Sequence, residues 1–164
     1  MIKYDRQRVA DLLTYAKRVN DKRGELINES ANLEAILDSL IVTHFCSEQK
    51  KQNELLPVIQ KLVLEKKIDL LKIILKDNYK EFVNEYPDTI KHLTEIRIMR
   101  NYLAHRMLHT TLETASENLK NKTVALIEKD NKIKKIAEGK IQDAINMAKH
   151  YTTLFLLYGR SSAT

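Results

Sequence analysis

The chain has 164 residues, of which 43% are hydrophobic and 30% charged, with only three glycines and two prolines. That composition describes an ordered, helix-rich chain of one-domain size and excludes a disordered or collagen-like one. A net charge of +6 and a pI near 9.3 favour an anionic partner, nucleic acid among them. The single cysteine, Cys46, makes no internal disulfide and favours a reducing compartment. No apolar run approaches the roughly 18 residues that span a bilayer, and the opening Met1-Ile2-Lys3-Tyr4-Asp5 does not read as a signal peptide. A cytosolic protein with no membrane partner is expected.

Val9, Leu12, Leu13, Ala16 and Val19 recur at helical spacing, which predicts a first helix over residues 5–20, ended by Gly24. A second helix carries Leu33, Ile36, Leu37, Leu40, Ile41 and His44 on one side. Residues 47–53 are polar and read as a loop, followed by Pro57 near a helix start, where its missing N–H is harmless. Val58, Ile59, Leu62 and Val63, then Ile68, Leu71, Ile74 and Leu75, fit one bent helix or two short ones equally well. Phe82, Val83 and Tyr86 predict a short helical turn before Pro87. Asp88 is a good N-cap for a helix that buries Ile90, Leu93, Ile96, Met99 and Leu103.

Beyond His109 the composition turns polar, which predicts a loop or ragged helix. Residues 123–127 and 133–136, flanking Lys129-Asp130-Asn131-Lys132, read as a β-hairpin, with helix over 120–139 as the alternative. A last helix over 140–158 carries Ile141, Ala144, Ile145, Ala148, Tyr151, Thr152, Phe155 and Leu156, and residues 159–164 are expected to fray. The fold class expected is therefore all-α, a single-domain bundle of about five or six helices over residues 1–164, with a small β-hairpin before the C-terminal helix.

The stretch Ile96-Arg97-Ile98-Met99-Arg100-Asn101-Tyr102-Leu103-Ala104-His105-Arg106 is the one strongly apolar helical pattern that also carries groups suited to phosphate chemistry. At about 100° per residue, Ile96, Met99 and Leu103 share a stripe and Arg100 lies about 40° from Ile96, inside it. A desolvated guanidinium is costly unless a carboxylate or phosphate meets it. Arg97, Asn101 and His105 form a polar stripe at i, i+4 and i+8, which leaves His105 about 140° from Arg100. For both to serve one site, the helix must end near His105, the arginine must reach round, or a subunit interface must collect them. The plain structural alternative is an ion-paired Arg100 and a His105 favoured by the dipole at a helix C-terminus.

Other chemistries lack their parts. Gly24, Gly139 and Gly159 stand alone, so there is no glycine-rich phosphate loop. His105 and His109 have a zinc-compatible spacing, yet Arg106 stands where a zinc protease has its glutamate, and His44 and Cys46 add no convincing third ligand. No metal and no cofactor are expected. Cys46 reads as a small buried hydrophobe. Lys129, Lys132, Lys134, Lys135 and Lys140 form a basic run, ordinarily a solvated face, that could also meet RNA phosphates.

The run Ile-Arg-x-x-Arg-Asn-x-x-Ala-His, here Ile96 to His105, resembles the R-x4-6-H motif of the HEPN superfamily of small all-α proteins, including the polar residue after the arginine and the small one before the histidine. The stretch from Glu65 to Leu75 is similar to the helix that often precedes that motif, and a basic hairpin and long last helix fit the same family, so the similarity spans residues 31–158. The resemblance implies a metal-independent endoribonuclease, a toxin or phage-defence effector, that leaves 2′,3′-cyclic phosphate ends. It implies RNA as substrate, a homodimer with both motifs facing one cleft, and an antitoxin or regulatory protein as a further partner. Such chemistry needs a base, an acid and a cation; histidine titrates near neutrality and arginine presents a fixed fork to phosphate. One histidine cannot easily act on both sides of an in-line reaction, whereas two copies across a two-fold axis can.

Carried over residue by residue, the resemblance makes Arg100 the phosphate stabiliser, His105 the general acid or base and Asn101 an orienting group. Arg97, Arg106, Lys132, Lys134 and Lys135 become auxiliary RNA contacts, Tyr102 a packing residue, and Glu34 and Asp38 the acids first suspected of pairing with Arg100. Met107 stands where toxins paired with nucleotidyltransferases have a tyrosine, so regulation by modifying that tyrosine is not implied. Mannitol-repressor-like proteins carry a similar Arg-Asn-x-x-Ala-His run, and that resemblance implies instead a non-catalytic binding or regulatory module in which the motif holds helices together.

Overall fold

The structure, a computed structural model, describes residues 5–161. Its elements run α1 (Arg6–Phe45), α2 (Gln49–Gln60), α3 (Leu64–Asn78), α4 (Lys80–Glu85), α5 (Thr89–His105), β1 (Met107–Leu108), α6 (Leu112–Asn121), β2 (Thr123–Ile127), β3 (Ile133–Ala137) and α7 (Glu138–Ser161). The mostly helical fold with a small hairpin is as expected, and a third strand, β1, joins the hairpin in an antiparallel sheet of order β1-β2-β3. Met107 pairs with Ile127 and Leu108 with Leu126, while Thr123 to Ile127 pair with Ala137 to Ile133. No helix among the described residues is long and apolar enough to cross a membrane. The chain divides into two compact units. The first holds the described residues up to Ile27 with Met99–Ile145, the second Asn28–Ile98 with the described residues from Asn146 onward.

α1 is a correction: one 40-residue helix stands where two were expected with a break at Gly24. Glycine costs a helix about 1 kcal/mol against alanine. The buried positions Tyr15, Val19, Leu26, Ser30, Leu33, Leu37 and Ile41 nevertheless keep a helical rhythm straight through it. Each fully buried aliphatic side chain contributes roughly 1.5–3 kcal/mol, so burial on either side outweighs one weak residue. A Cβ added at Gly24 would meet nothing within 4 Å, so space does not require the glycine.

In the first unit, Val124, Leu126, Ile136, Leu103, Ala115, Ile141 and Ala144 are buried along with Tyr15, Val19 and Leu26. Tyr15 is fully buried, and its hydroxyl accepts a hydrogen bond from the Ala125 backbone N–H at 2.8 Å. Arg18 donates to the Asn118 and Leu119 carbonyls at 3.5 and 3.4 Å and meets Glu138 at 2.6 Å, so one cation serves the negative end of α6 and the first turn of α7. Of the loop or ragged helix expected after His109, the structure has the helix, α6. Thr111 caps it in a capping box with Thr114, and Lys122 closes it in the left-handed region at φ 49°.

In the second unit, Leu33, Leu37, Leu64, Ile68, Leu71, Phe82, Leu93, Ile96, Tyr151 and Phe155 form one apolar core, and Ile41, Val42, Ile59 and Ile74 a smaller one. Lys67 is only 1% exposed, with Nζ 2.8 Å from Glu34 and 2.7 Å from Asp38. Burial alone would push its ammonium down, but the hydrogen bonds to Asp38 and Glu34 prevail and raise it above the ordinary lysine value.

Further corrections concern boundaries. α2 begins at Gln49, inside the expected loop, because Leu55, Leu56 and Ile59 give it an apolar stripe to pack. Pro57 lies inside α2 rather than near its start; Asn53, whose carbonyl loses a donor, is an exposed residue. α2 and α3 are separate helices. The Asp88 carbonyl accepts the His92 N–H at 2.9 Å, which places Asp88 at the start of α5. α7 starts at Glu138 and continues to Ser161, past the point where fraying was expected, while residues 162–164 lie outside the described range. Cys46 is half-buried rather than buried.

Two stability measurements follow. Gly24→Ala should raise the urea unfolding free energy by about 0.5–1 kcal/mol, since the position is helical and unobstructed. Lys67→Met should lower it by about 3–5 kcal/mol at neutral pH by stripping buried Asp38 of its cation. In the unsubstituted protein the Lys67 contribution is complete below the ordinary lysine pKa and disappears as pH rises through the higher folded value.

Candidate functional site

The candidate site is built on the last turns of α5 and on the sheet that follows. In the first unit, Arg100 is half-buried, and its Nη1 donates to Asn101 Oδ1 at 3.2 Å, so neighbouring residues on the helix orient each other. His105 is the last residue of α5. It is exposed, and among the described residues its imidazole makes no hydrogen bond or ion pair. Helix termination at His105 is one of the geometries in which the spacing allows both residues to serve one site.

The chain turns directly from His105 into β1, and this turn is held by contacts that sequence reasoning missed. Arg23 Nη2 donates to the Arg106 carbonyl at 2.9 Å. Arg106 Nη2 lies 3.4 Å from Glu128 Oε2, Lys134 Nζ lies 3.9 Å from Glu128 Oε1, and the Tyr102 hydroxyl donates to that same carboxylate. The Tyr102 ring also receives both cations, with Lys134 Nζ 4.7 Å and the Arg106 guanidinium carbon 5.7 Å from its centroid. Tyr102 therefore does more than pack. Burial, then the hydrogen bond to Glu128 and its negative charge, push the phenol up to about 12. The signal for Glu128 lay in the pairing: continuing the Met107–Ile127 register by one residue sets Arg106 opposite Glu128. Without β1 that register was invisible.

The remaining sequence candidates have partners of their own. Arg97 belongs to the second unit, where it pairs with Glu65 at 3.3 Å. Lys132 meets Asp130 at 2.7 Å and Lys135 meets Glu117 at 2.8 Å, so each hairpin lysine named as an RNA contact already has an acidic neighbour. Glu34 and Asp38, the acids first suspected of pairing with Arg100, both meet Lys67. Among the described residues no group of three or more histidine, cysteine or acidic side chains is arranged to hold a metal ion.

Comparison with family models, with curated proteins and with solved structures finds no match.

The Glu128 cluster is testable by titration. In Glu128→Gln the Tyr102 phenol should ionise lower, moving from about 12 toward the ordinary value of about 10, read as the change in tyrosinate absorbance against the parent. Because the folded pKa is raised, Tyr102 adds stability below about pH 10 that is lost between about 10 and 12, and the variant should flatten that alkaline decline. An unchanged titration curve would show that Glu128 does not hold the phenol.

Proposed function

We propose that this chain is a metal-independent endoribonuclease of the HEPN type, acting as a homodimer. The observation that carries the reading is the exposed, unengaged imidazole of His105 at the C-terminal end of α5. An imidazole holding the fold together would have an internal partner; one that handles a substrate proton needs open access. Arg100, five residues before His105 and hydrogen-bonded to the adjacent Asn101, supplies a cation for a phosphate oxygen.

In the proposed reaction one copy of His105 takes the proton from an RNA 2′-hydroxyl, and the 2′-oxygen bonds to the adjacent phosphorus. The bond from phosphorus to the 5′-oxygen breaks, and a protonated His105 from a second copy donates to that leaving oxygen. The products are a 2′,3′-cyclic phosphate and a 5′-hydroxyl. Arg100 stabilises the extra negative charge of the pentacoordinate intermediate. The reaction consumes no cofactor. A toxin or phage-defence role, with an antitoxin or regulator as partner, belongs to the same proposal.

The second reading is a non-catalytic binding or regulatory module of the mannitol-repressor-like kind. It is favoured by one observation: Arg97 and Arg106, flanking the motif, pair with Glu65 and Glu128 within the chain.

Incubation of the purified chain with a mixed RNA pool in EDTA discriminates the two. The nuclease reading expects cleavage with cyclic-phosphate ends, reduced by about 10²–10⁴-fold in His105→Ala while the circular dichroism and oligomeric state stay unchanged. Cleavage that survives this substitution, or that disappears in EDTA, would remove His105 from the chemistry.

A further inference from the structure

The cations best placed to receive a polyanion are not on the hairpin. In the second unit a groove of about 490 Å³ runs between α3, α4 and the start of α5, and its lining includes Lys72, Lys76, Lys80, Asn84, Tyr86 and Thr89. All three lysines are exposed, and among the described residues none makes an ion pair or side-chain hydrogen bond. No acidic side chain lines the groove. The hairpin concavity differs, since Glu128 and Asp130 line it beside its lysines. Elsewhere on the same helices, Lys66 meets Asp69 and Lys91 meets Asp88.

Lys72 and Lys76 stand one helical turn apart on α3, about 6 Å along its axis. Like charges at that spacing repel each other, a repulsion that a bound anion turns into attraction. Thr89 and the first turn of α5 add the positive end of a 17-residue helix to the same groove. The half-buried phenol ring of Tyr86 and the amide of Asn84 line it as well, beside Pro87. A basic track interleaved with an aromatic ring and an amide is the chemistry that holds a single-stranded nucleic acid, with phosphates on lysines and a base against the ring. An acidic peptide would use the lysines but not the flat ring.

We infer that this groove, through Lys72, Lys76 and Lys80, is the principal binding track for single-stranded RNA on this chain. The inference goes beyond the nuclease reading and stands apart from it, because binding here requires no chemistry at His105. It also moves the phosphate contacts from the self-neutralised hairpin lysines to a different surface.

The test uses a mixed-sequence oligonucleotide with 2′-O-methyl groups throughout, which lacks the attacking hydroxyl and reports binding alone. Fluorescence anisotropy across a salt series would compare the full chain, the triple variant Lys72→Gln/Lys76→Gln/Lys80→Gln, and the control Lys132→Gln/Lys134→Gln/Lys135→Gln. All six positions are exposed, and circular dichroism checks that both variants fold. The groove variant should bind roughly tenfold or more weakly, and its slope of log affinity against log salt should be shallower by about 2, at about 0.7 per phosphate contact on a single strand. The hairpin variant should stay within about twofold of the parent, since its lysines carry their own counter-charges. The inference is overturned if the parent chain does not bind, if the groove variant keeps the parent affinity and slope, or if the hairpin variant takes the larger loss. Equal competition by poly-glutamate would overturn RNA as the occupant in favour of an acidic protein partner. A chain that binds the oligonucleotide through the groove yet cleaves no RNA would defeat the nuclease reading and leave this one intact.

Discussion

A buried ammonium cannot be left without negative charge beside it, and that constraint organises the second unit. Lys67 brings α3 to two acids one turn apart on α1, Glu34 and Asp38, and its length and direction fix the register at which those helices meet. Around it the apolar contacts of Leu33, Leu37, Ile68 and Leu71 supply the larger energy but little positional discrimination. A charge pair of this kind is a weak source of net stability, yet breaking one partner is severe. The apolar core and the ion cluster therefore act on different properties, one on how stable the unit is and the other on which arrangement it adopts.

The first unit solves a comparable problem without a buried lysine. Arg18 gathers the carbonyl end of α6 and the carboxylate of Glu138, and Tyr15 reaches from the N-terminal part of α1 to a backbone amide of β2. These are directional contacts between elements that are far apart in sequence. They set the sheet in place, and the sheet in turn fixes the turn after His105 through Arg106 and Glu128. The candidate imidazole is thus held by its backbone rather than by its ring, which has no hydrogen bond or ion pair among the described residues.

Much of this was legible in the residues. Apolar spacing located α3, α5 and α7, and the polar turn Lys129-Asp130-Asn131-Lys132 located the hairpin, because local periodicity and turn chemistry are written in contiguous residues. The break read at Gly24 was an overestimate of one residue's propensity against the burial of its neighbours. β1 was invisible because two residues form a strand only when a partner strand is present. Lys67, inside Glu65-Lys66-Lys67-Ile68, looks like a surface lysine until α3 is packed, and Glu128 looks like a turn residue until Arg106 lies opposite it. The candidate role of Arg100 and His105 came from local pattern, whereas the neutralisation of Lys132, Lys134 and Lys135 depends on acids whose placement only the folded hairpin and α6 determine.

Pro57 has a consequence for motion. It deprives α2 of an interior hydrogen bond, and Ile59 is the one residue of that helix that is fully buried. Local opening is easiest where few apolar contacts and few protected amides resist it. The segment from Cys46 to Val63 is therefore a part of the second unit whose amides should exchange with solvent early, through fluctuations that leave the Lys67 cluster and the main core closed. A protease probing the native protein would meet this segment first, so α2 is a place where the chain could be nicked without the rest of the unit coming apart.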